Sequence, residues 1–182
     1  MTTDIQTNAN IQAVGGDQFV DGTGQSMDLE DLIMAIESKR ADLLDQQLAD
    51  QVGQMKKLNH EIAVANKMLA YARQQQNAAS SHKSATKDDD RKVVEGMTFR
   101  EWAEQNGVSL HDVNDDDRHN KDEWSAIIEG VKGKIDQLNS TSQMEMIRLQ
   151  ALMNKRNQAY ELMTNALQKL SGSIDKIIGN IR

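Results

Sequence analysis

From Ala41 to Ala72 the chain alternates apolar and polar positions by threes and fours. The apolar steps are Ala41, Leu44, Leu48, Met55, Leu58, Ile62, Ala65, Leu69 and Ala72, with Gln51 the one polar step. That spacing averages about 3.5 residues, the seam of a coiled-coil helix. Upstream, Leu29, Leu32, Ile33 and Ile36 make a denser stripe that predicts packing against something wider. Asp28 is placed to cap the helix, and Glu30 and Asp31 follow in a first turn where the helix dipole favours acids. The pattern predicts a first helix over 28–76, a rod of about 70 Å.

A second run is longer. Met146, Leu149, Met153, Arg156, Tyr160, Met163, Leu167, Leu170, Ile174, Ile177 and Ile181 step by three and four throughout. Leu152, Ala159 and Ala166 widen that seam on one side, so it offers more than a two-stranded interface. Val131, Ile135 and Leu138 continue it upstream, with a phase shift near Ser140 to Ser142. Asn120 and Glu123 have capping-box spacing and predict a start near Lys121, giving a helix over 121–182.

The two helices are expected to pair within one chain as a long antiparallel hairpin. Its core is read as Leu44, Leu48, Met55, Leu58, Ile62 and Leu69 against Leu149, Met153 and Tyr160. The stripe then runs on. Met163, Leu167, Leu170, Ile174, Ile177 and Ile181 reach past what the first helix covers and are assigned to contacts with other subunits or a partner.

Residues 77–120 are read as a polar linker and a small helical module. Ser80-Ser81, Ser84 and Asp88-Asp89-Asp90 lack apolar anchors and predict a loop, either a flexible linker or the tip of a helix-turn-helix. Thr98 and Glu101 then set a capping box ahead of Trp102, and Gly107 sits where a short helix stops. Phe99, Trp102, Val108 and Leu110 are the module's expected core. Residues 1–27 are rich in Thr, Asn, Gln and Gly, with Gly15-Gly16 and Gly22-Thr23-Gly24 breaking any period. They are expected to be disordered, with too little apolar surface to offset ordering entropy. The fold class read from the sequence is all-α.

Composition narrows the function classes. Among 182 residues there is no Pro, which suits long uninterrupted helices. There is no Cys, which removes disulfides, thiolate zinc sites and cysteine nucleophiles together. The 21 basic against 28 acidic side chains leave a net charge of −7, which argues against nucleic acid as the main partner. The acidity is local: residues 88–123 carry 5 basic and 12 acidic side chains, whereas residues 124–182 carry 8 and 5. No apolar run approaches the roughly 18 residues of a membrane span. The start of the chain lacks the basic and apolar regions of a secretory signal peptide.

Candidate chemistry is sparse. Asp112, Asn114, Asp116, Arg118, Asn120 and Glu123 fall at positions 1, 3, 5, 7, 9 and 12 of a calcium-loop template. The template's turn glycine is replaced by Asp117 and its apolar position by His119, so a solvated acidic loop is the better explanation. His60, His82, His111 and His119 show no metal-ligand spacing. Ser109, His111 and Asp112 are too close in sequence for a triad, which assembles from separated elements. No glycine-rich phosphate loop is present. The reading is a non-enzyme without metal or cofactor.

Two short stretches carry a family likeness. Glu95-Gly96-Met97-Thr98-Phe99 followed by Trp102 is similar to a Gly-Met-Thr-apolar turn, and Ser142-Gln143-Met144-Glu145-Met146 with Leu149 resembles the lead-in to a final helix. Both features occur in the hydrophilic translocators of bacterial type III secretion, the needle-tip and filament proteins. The arrangement over residues 28–182 resembles that group, its EspA- and SseB-like filament branch above all, although the Asp-rich middle loop departs from it. The resemblance implies an exported protein, with residues 1–27 as an uncleaved secretion segment. It implies self-assembly at the bacterial surface, on the needle subunit and in support of the hydrophobic translocators. It also implies a cytosolic chaperone that masks the last helix before export. The alternative is a cytosolic coiled-coil adaptor or secretion chaperone, which explains the helices equally well but not residues 1–27.

Overall fold

The computed structural model describes residues 12–13, 18–20, 26–82, 85–88, 91–110 and 118–180. They are mostly helical. Three short strands come first, β1 (Gln12–Ala13), β2 (Gln18–Val20) and β3 (Ser26–Asp28), followed by the long helix α1 (Leu29–His82). Strands β4 (Thr86–Lys87), β5 (Lys92–Val94) and β6 (Met97–Thr98) lead into helix α2 (Phe99–Asn106). Strand β7 (Arg118–His119) then leads into the long C-terminal helix α3 (Lys121–Asn180).

Each helix start is written in local side-chain chemistry. Asp28 accepts the Asp31 backbone N–H through Oδ1 at 2.7 Å. Thr98 and Glu101 close a reciprocal capping box on α2, and Gly107 ends that helix with φ 68°. Asn120 Oδ1 accepts from the Asp122 and Glu123 backbones, while Glu123 Oε2 accepts from the Asn120 N–H. A cap of this kind is worth roughly 1 kcal/mol.

The structure alters four expectations. The fold is not purely helical, because short strands join the helices. Within 1–27, read as wholly disordered, β2 pairs antiparallel with both β1 and β3, placing Phe19 opposite Ala13 and Met27. Gly15-Gly16 and Gly22-Thr23-Gly24 lie outside the described residues. Helix α1 runs to His82 rather than to 76, since residues 77–82 still satisfy their backbone groups helically. Asp88, read as part of a polar loop without anchors, is buried and paired, as the next subsection shows.

Two compact units divide the chain. The unit of residues 51–148 holds the larger core. Val64, Met68, Leu69 and Ala72 of α1 meet Trp124, Ile127, Val131 and Ile135 of α3. Phe99, Trp102, Ala103 and Val108 enter the same core, so the small module has no separate core of its own. Leu110 is only partly buried against it. The β5–β6 hairpin aims α2 into this core: Glu95 and Gly96 both take positive φ, 54° and 79°, as a two-residue reversal requires. Gly130 lies beneath Val108, where an added Cβ would stand 3.3 Å from Val108 Cγ1. The stretch from Gly96 to Phe99 thus has a fold role at each step: Gly96 turns, Thr98 caps and Phe99 fills the core.

The other unit, residues 1–50 with 149–182, has a thinner core of Ala41, Leu44 and Ala159, with Leu152 and Met163 packed against it.

Candidate interaction surface

The α1 seam lies inward along its whole predicted length. Ala41, Leu44, Gln51, Ala65, Leu69 and Ala72 are buried, and Leu48, Met55, Leu58 and Ile62 are half-buried. Gln51, the polar step, is buried because its amide donates to the backbone and carboxylate oxygens of Glu145. Without such partners a buried amide would cost a few kcal/mol.

The α3 seam is half corrected. Leu149 and Arg156 are half-buried, on the expected side, and Met163 and Leu170, assigned to contacts with other subunits, are half-buried too. Met153 (48%) and Tyr160 (41%), read as hairpin core, are exposed instead; Leu167 (52%) and Ile174 (54%), assigned to contacts outside the chain, are exposed as well. Met153 and Tyr160 are therefore not hairpin core. The inward slots between Leu149, Arg156, Met163 and Leu170 belong to Leu152, Ala159 and Ala166, the residues that only widened the seam in the sequence. The reason is steric: Ala159 and Ala41 are fully or almost fully buried, and methyl side chains let two helix backbones approach closely where Tyr160 or Met153 would hold them apart. The side chain of Ile177, and all of Ile181, lie outside the described residues.

Polar contacts fix which side the displaced stripe faces. Asp45 Oδ1 pairs with Arg156 Nε at 2.5 Å, and Tyr160 Oη donates to Asp45 Oδ2 at 3.2 Å. The Arg156 guanidinium stacks over the Tyr160 ring, 5.1 Å from its centroid. Met153, Tyr160, Leu167 and Ile174 follow one another at intervals of seven residues, so they form one stripe with a repeat of about 10 Å. On α1, Leu29, Ile33, Ile36 and Leu43 are also exposed. Of the denser upstream stripe, Leu32 is half-buried and Leu29, Ile33 and Ile36 are exposed.

The unit of residues 51–148 holds a buried charge cluster that sequence reading missed. Antiparallel pairing of β4 with β7 sets Thr86 opposite His119 and brings Asp88 beside it. Asp88 Oδ2 lies 2.9 Å from His119 Nε2, and both side chains are fully buried. Arg100, one residue into α2, donates through Nε to Asp88 Oδ1 at 3.0 Å and places Nη2 3.0 Å from Oδ2. The His119 ring meets Trp124 edge-on at 5.1 Å, and Trp124 Nε1 donates to Thr86 at 2.8 Å. Burial alone would raise the Asp88 pKa, but hydrogen bonds from His119 and Arg100 and their charges outweigh it and hold the carboxyl below its ordinary value. The cluster ties a strand end, α2 and the approach to α3 into one core. Asp88 and His119 stand 31 residues apart, a separation at which no local motif could have paired them.

His60 also finds a carboxylate, Glu95 Oε1 at 2.6 Å, beside a pocket of about 280 Å³ lined by Met97 and Trp102. Asp112, Asn114 and Asp116 of the calcium template lie outside the described residues. Its Asn120 and Glu123 are engaged in capping α3. Among the described residues, no group of three or more His, Cys, Asp or Glu is placed to hold a metal ion. None of the described helices is long and apolar enough to cross a membrane.

No protein-family model, curated protein or solved structure matches this chain.

Proposed function

We propose that the chain is a self-assembling surface protein of the type III secretion tip or filament kind. The observation that carries the self-assembly part is the exposed heptad stripe Met153, Tyr160, Leu167 and Ile174, four large side chains on one helix that are each 41–54% exposed. Large apolar side chains exposed in a row on one helix face point to an interaction surface. The secretion part rests on the resemblance of two sequence stretches and of the helix order.

In this reading α1 and α3 form a long antiparallel hairpin. Support comes from contacts that ascend α3 as they descend α1. Gln76 donates to Ser125 at 2.7 Å, Gln51 donates to Glu145, and Asp45 pairs with Arg156. The hairpin is the assembling body, and Leu167, Leu170, Ile174, Ile177 and Ile181 supply contacts to other subunits, whereas Met163 packs against Ala41, Leu44 and Ala159 within the chain. Before export a cytosolic chaperone covers the α3 stripe. After export the protein sits on the needle subunit at the bacterial surface and supports the hydrophobic translocators. It binds no nucleic acid and performs no catalysis.

Export is the test. Deleting residues 2–20 removes β1 and β2 but keeps Asp28 and the helices. The full chain is expected in culture supernatant under secretion-inducing conditions, and the shortened chain only in the cell lysate, with unchanged helical circular dichroism. A full chain that stays in the lysate would favour the cytosolic adaptor or chaperone instead.

A further inference from the structure

The unit of residues 51–148 carries a pocket of about 280 Å³. Its apolar lining is buried Val64 and Trp102 with half-buried Met97. The volume lies just below the roughly 300–1,000 Å³ of sites for drug-sized ligands, so it suits a single side chain. The polar lining comes from three elements. His60 and Glu61 stand on α1, Glu95 on the β5–β6 turn, and Gln105 and Asn106 on α2. Acceptors dominate it. Glu61 makes no hydrogen bond or ion pair among the described residues. Glu95 Oε1 meets His60 Nε2 at 2.6 Å, while Oε2 has no partner among the described residues. Asn106 commits its Nδ2 to the Trp102 carbonyl at 2.9 Å, which leaves Oδ1 to accept. Lys57, one turn before Glu61, and Lys92, on β5 ahead of Glu95, line no part of the pocket and form no ion pair with either acid.

The turn draws attention to the same carboxylate. Glu95 holds φ 54° and is the one residue other than glycine with positive φ among the described residues. Asn, Asp or Gly supply that conformation at lower cost, so the reversal itself does not need a glutamate. The pair with His60 does not account for it either. Its two side chains are 59% and 48% exposed, and exposed pairs contribute little to stability.

We propose that this pocket receives an arginine side chain presented by a partner protein. The methylenes of such a side chain lie along Met97 and Trp102, and its planar fork of five N–H donors spans acceptors from all three elements. Two carboxylates, with His60 as the only basic group of the lining and already paired, supply the charge complementarity. Lysine offers three donors from a single point and matches so wide a spread of acceptors less well. His60, Glu61, Glu95 and Gln105 at the rim are exposed, so the pocket opens to solvent and admits a residue that stays joined to its own chain. The site lies within one unit and depends on neither export nor assembly.

Saturation-transfer NMR on the full chain tests it, with capped tripeptides carrying a central arginine, lysine or citrulline, the last an uncharged isostere of arginine. The arginine peptide should receive saturation mainly at its side-chain methylenes. It should bind about tenfold or more tightly than the citrulline peptide, because charge-assisted hydrogen bonds are roughly twice as strong as neutral ones. Its affinity should fall as salt rises. Glu61→Gln and Glu95→Asn should each weaken it severalfold. Neither should lower the melting temperature, since Glu61 is exposed and asparagine suits the positive φ at position 95. Free arginine, whose own carboxylate would face Glu61 and Glu95, should bind more weakly than the peptide. Citrulline or lysine binding as well as arginine, or unchanged affinity in both variants, overturns the proposal. So does a chain that binds none of the peptides, and so does tighter binding of free arginine, which would make the pocket a small-molecule site.

Discussion

Asp88→Asn is expected to destabilise the unit of residues 51–148 by about 3 kcal/mol, the lower end of the range for breaking a buried ion pair. The lower end applies because Asp88 is fully buried whereas the Arg100 side chain keeps 26% exposure and recovers some hydration. Asparagine preserves the volume but removes the negative charge that Arg100 and His119 both address. The same carboxyl predicts an acid limb. Its folded pKa is depressed, so the unfolded chain takes up the proton first, at about pH 4. The stabilisation is therefore complete above that value and is lost as pH falls through the folded pKa. Trp102 and Trp124 both lie in this core, so their fluorescence reports its unfolding directly. The melting temperature of the natural chain should fall between pH 5 and pH 3 more steeply than that of Asp88→Asn. Equal slopes would mean that the cluster contributes nothing through charge.

Phe99→Ala is expected to cost about 3–5 kcal/mol, the usual range for emptying a fully buried aromatic site. Phe99 touches each helix of its unit: ring centroids lie 5.8 Å from Tyr71 on α1, 6.0 Å from Trp102 on α2 and 5.5 Å from Trp124 on α3. Trp124 is held in turn by its hydrogen bond to Thr86, and the surrounding backbone is helical, so the site has little freedom to collapse. Urea unfolding of the intact chain measures the loss. A change below about 1 kcal/mol would show that the module is only loosely docked, contrary to the ring contacts.

The cost should also be regional. Ala41, Leu44 and Ala159 form a core that shares no aromatic contact with Phe99, so a separate unfolding phase of that thinner unit should keep its midpoint. A chain that loses both phases together in Phe99→Ala would have to be cooperative along the whole of α1 and α3.

The sequence alone determined what depends on neighbours a few positions away. Asp28, the Thr98–Glu101 pair, Gly107 and the Asn120–Glu123 pair act within one turn of backbone, so the helix starts and the stop of α2 were legible. The α1 seam was legible because polar residues fill most positions off it up to Ile62, whereas Val64, Met68 and Tyr71, off the seam, are buried beside it by the wider core of residues 51–148. On α3 the sequence offered two overlapping stripes that share Leu149, Arg156, Met163 and Leu170. One completes them with Met153, Tyr160 and Leu167, the other with Leu152, Ala159 and Ala166. Hydrophobicity favours the first and is wrong for Met153 and Tyr160, because the distance to the neighbouring helix makes the choice. Close approach at Ala41 and Ala159 rotates the larger side chains outward. Asp88 was misread for a related reason. Three consecutive aspartates look solvated, and only the β4–β7 pairing and the first turn of α2 bring His119 and Arg100 to bear on one of them. Periodicity and capping are properties of a single helix, whereas which stripe is covered and which carboxylate is buried depend on what lies across from them.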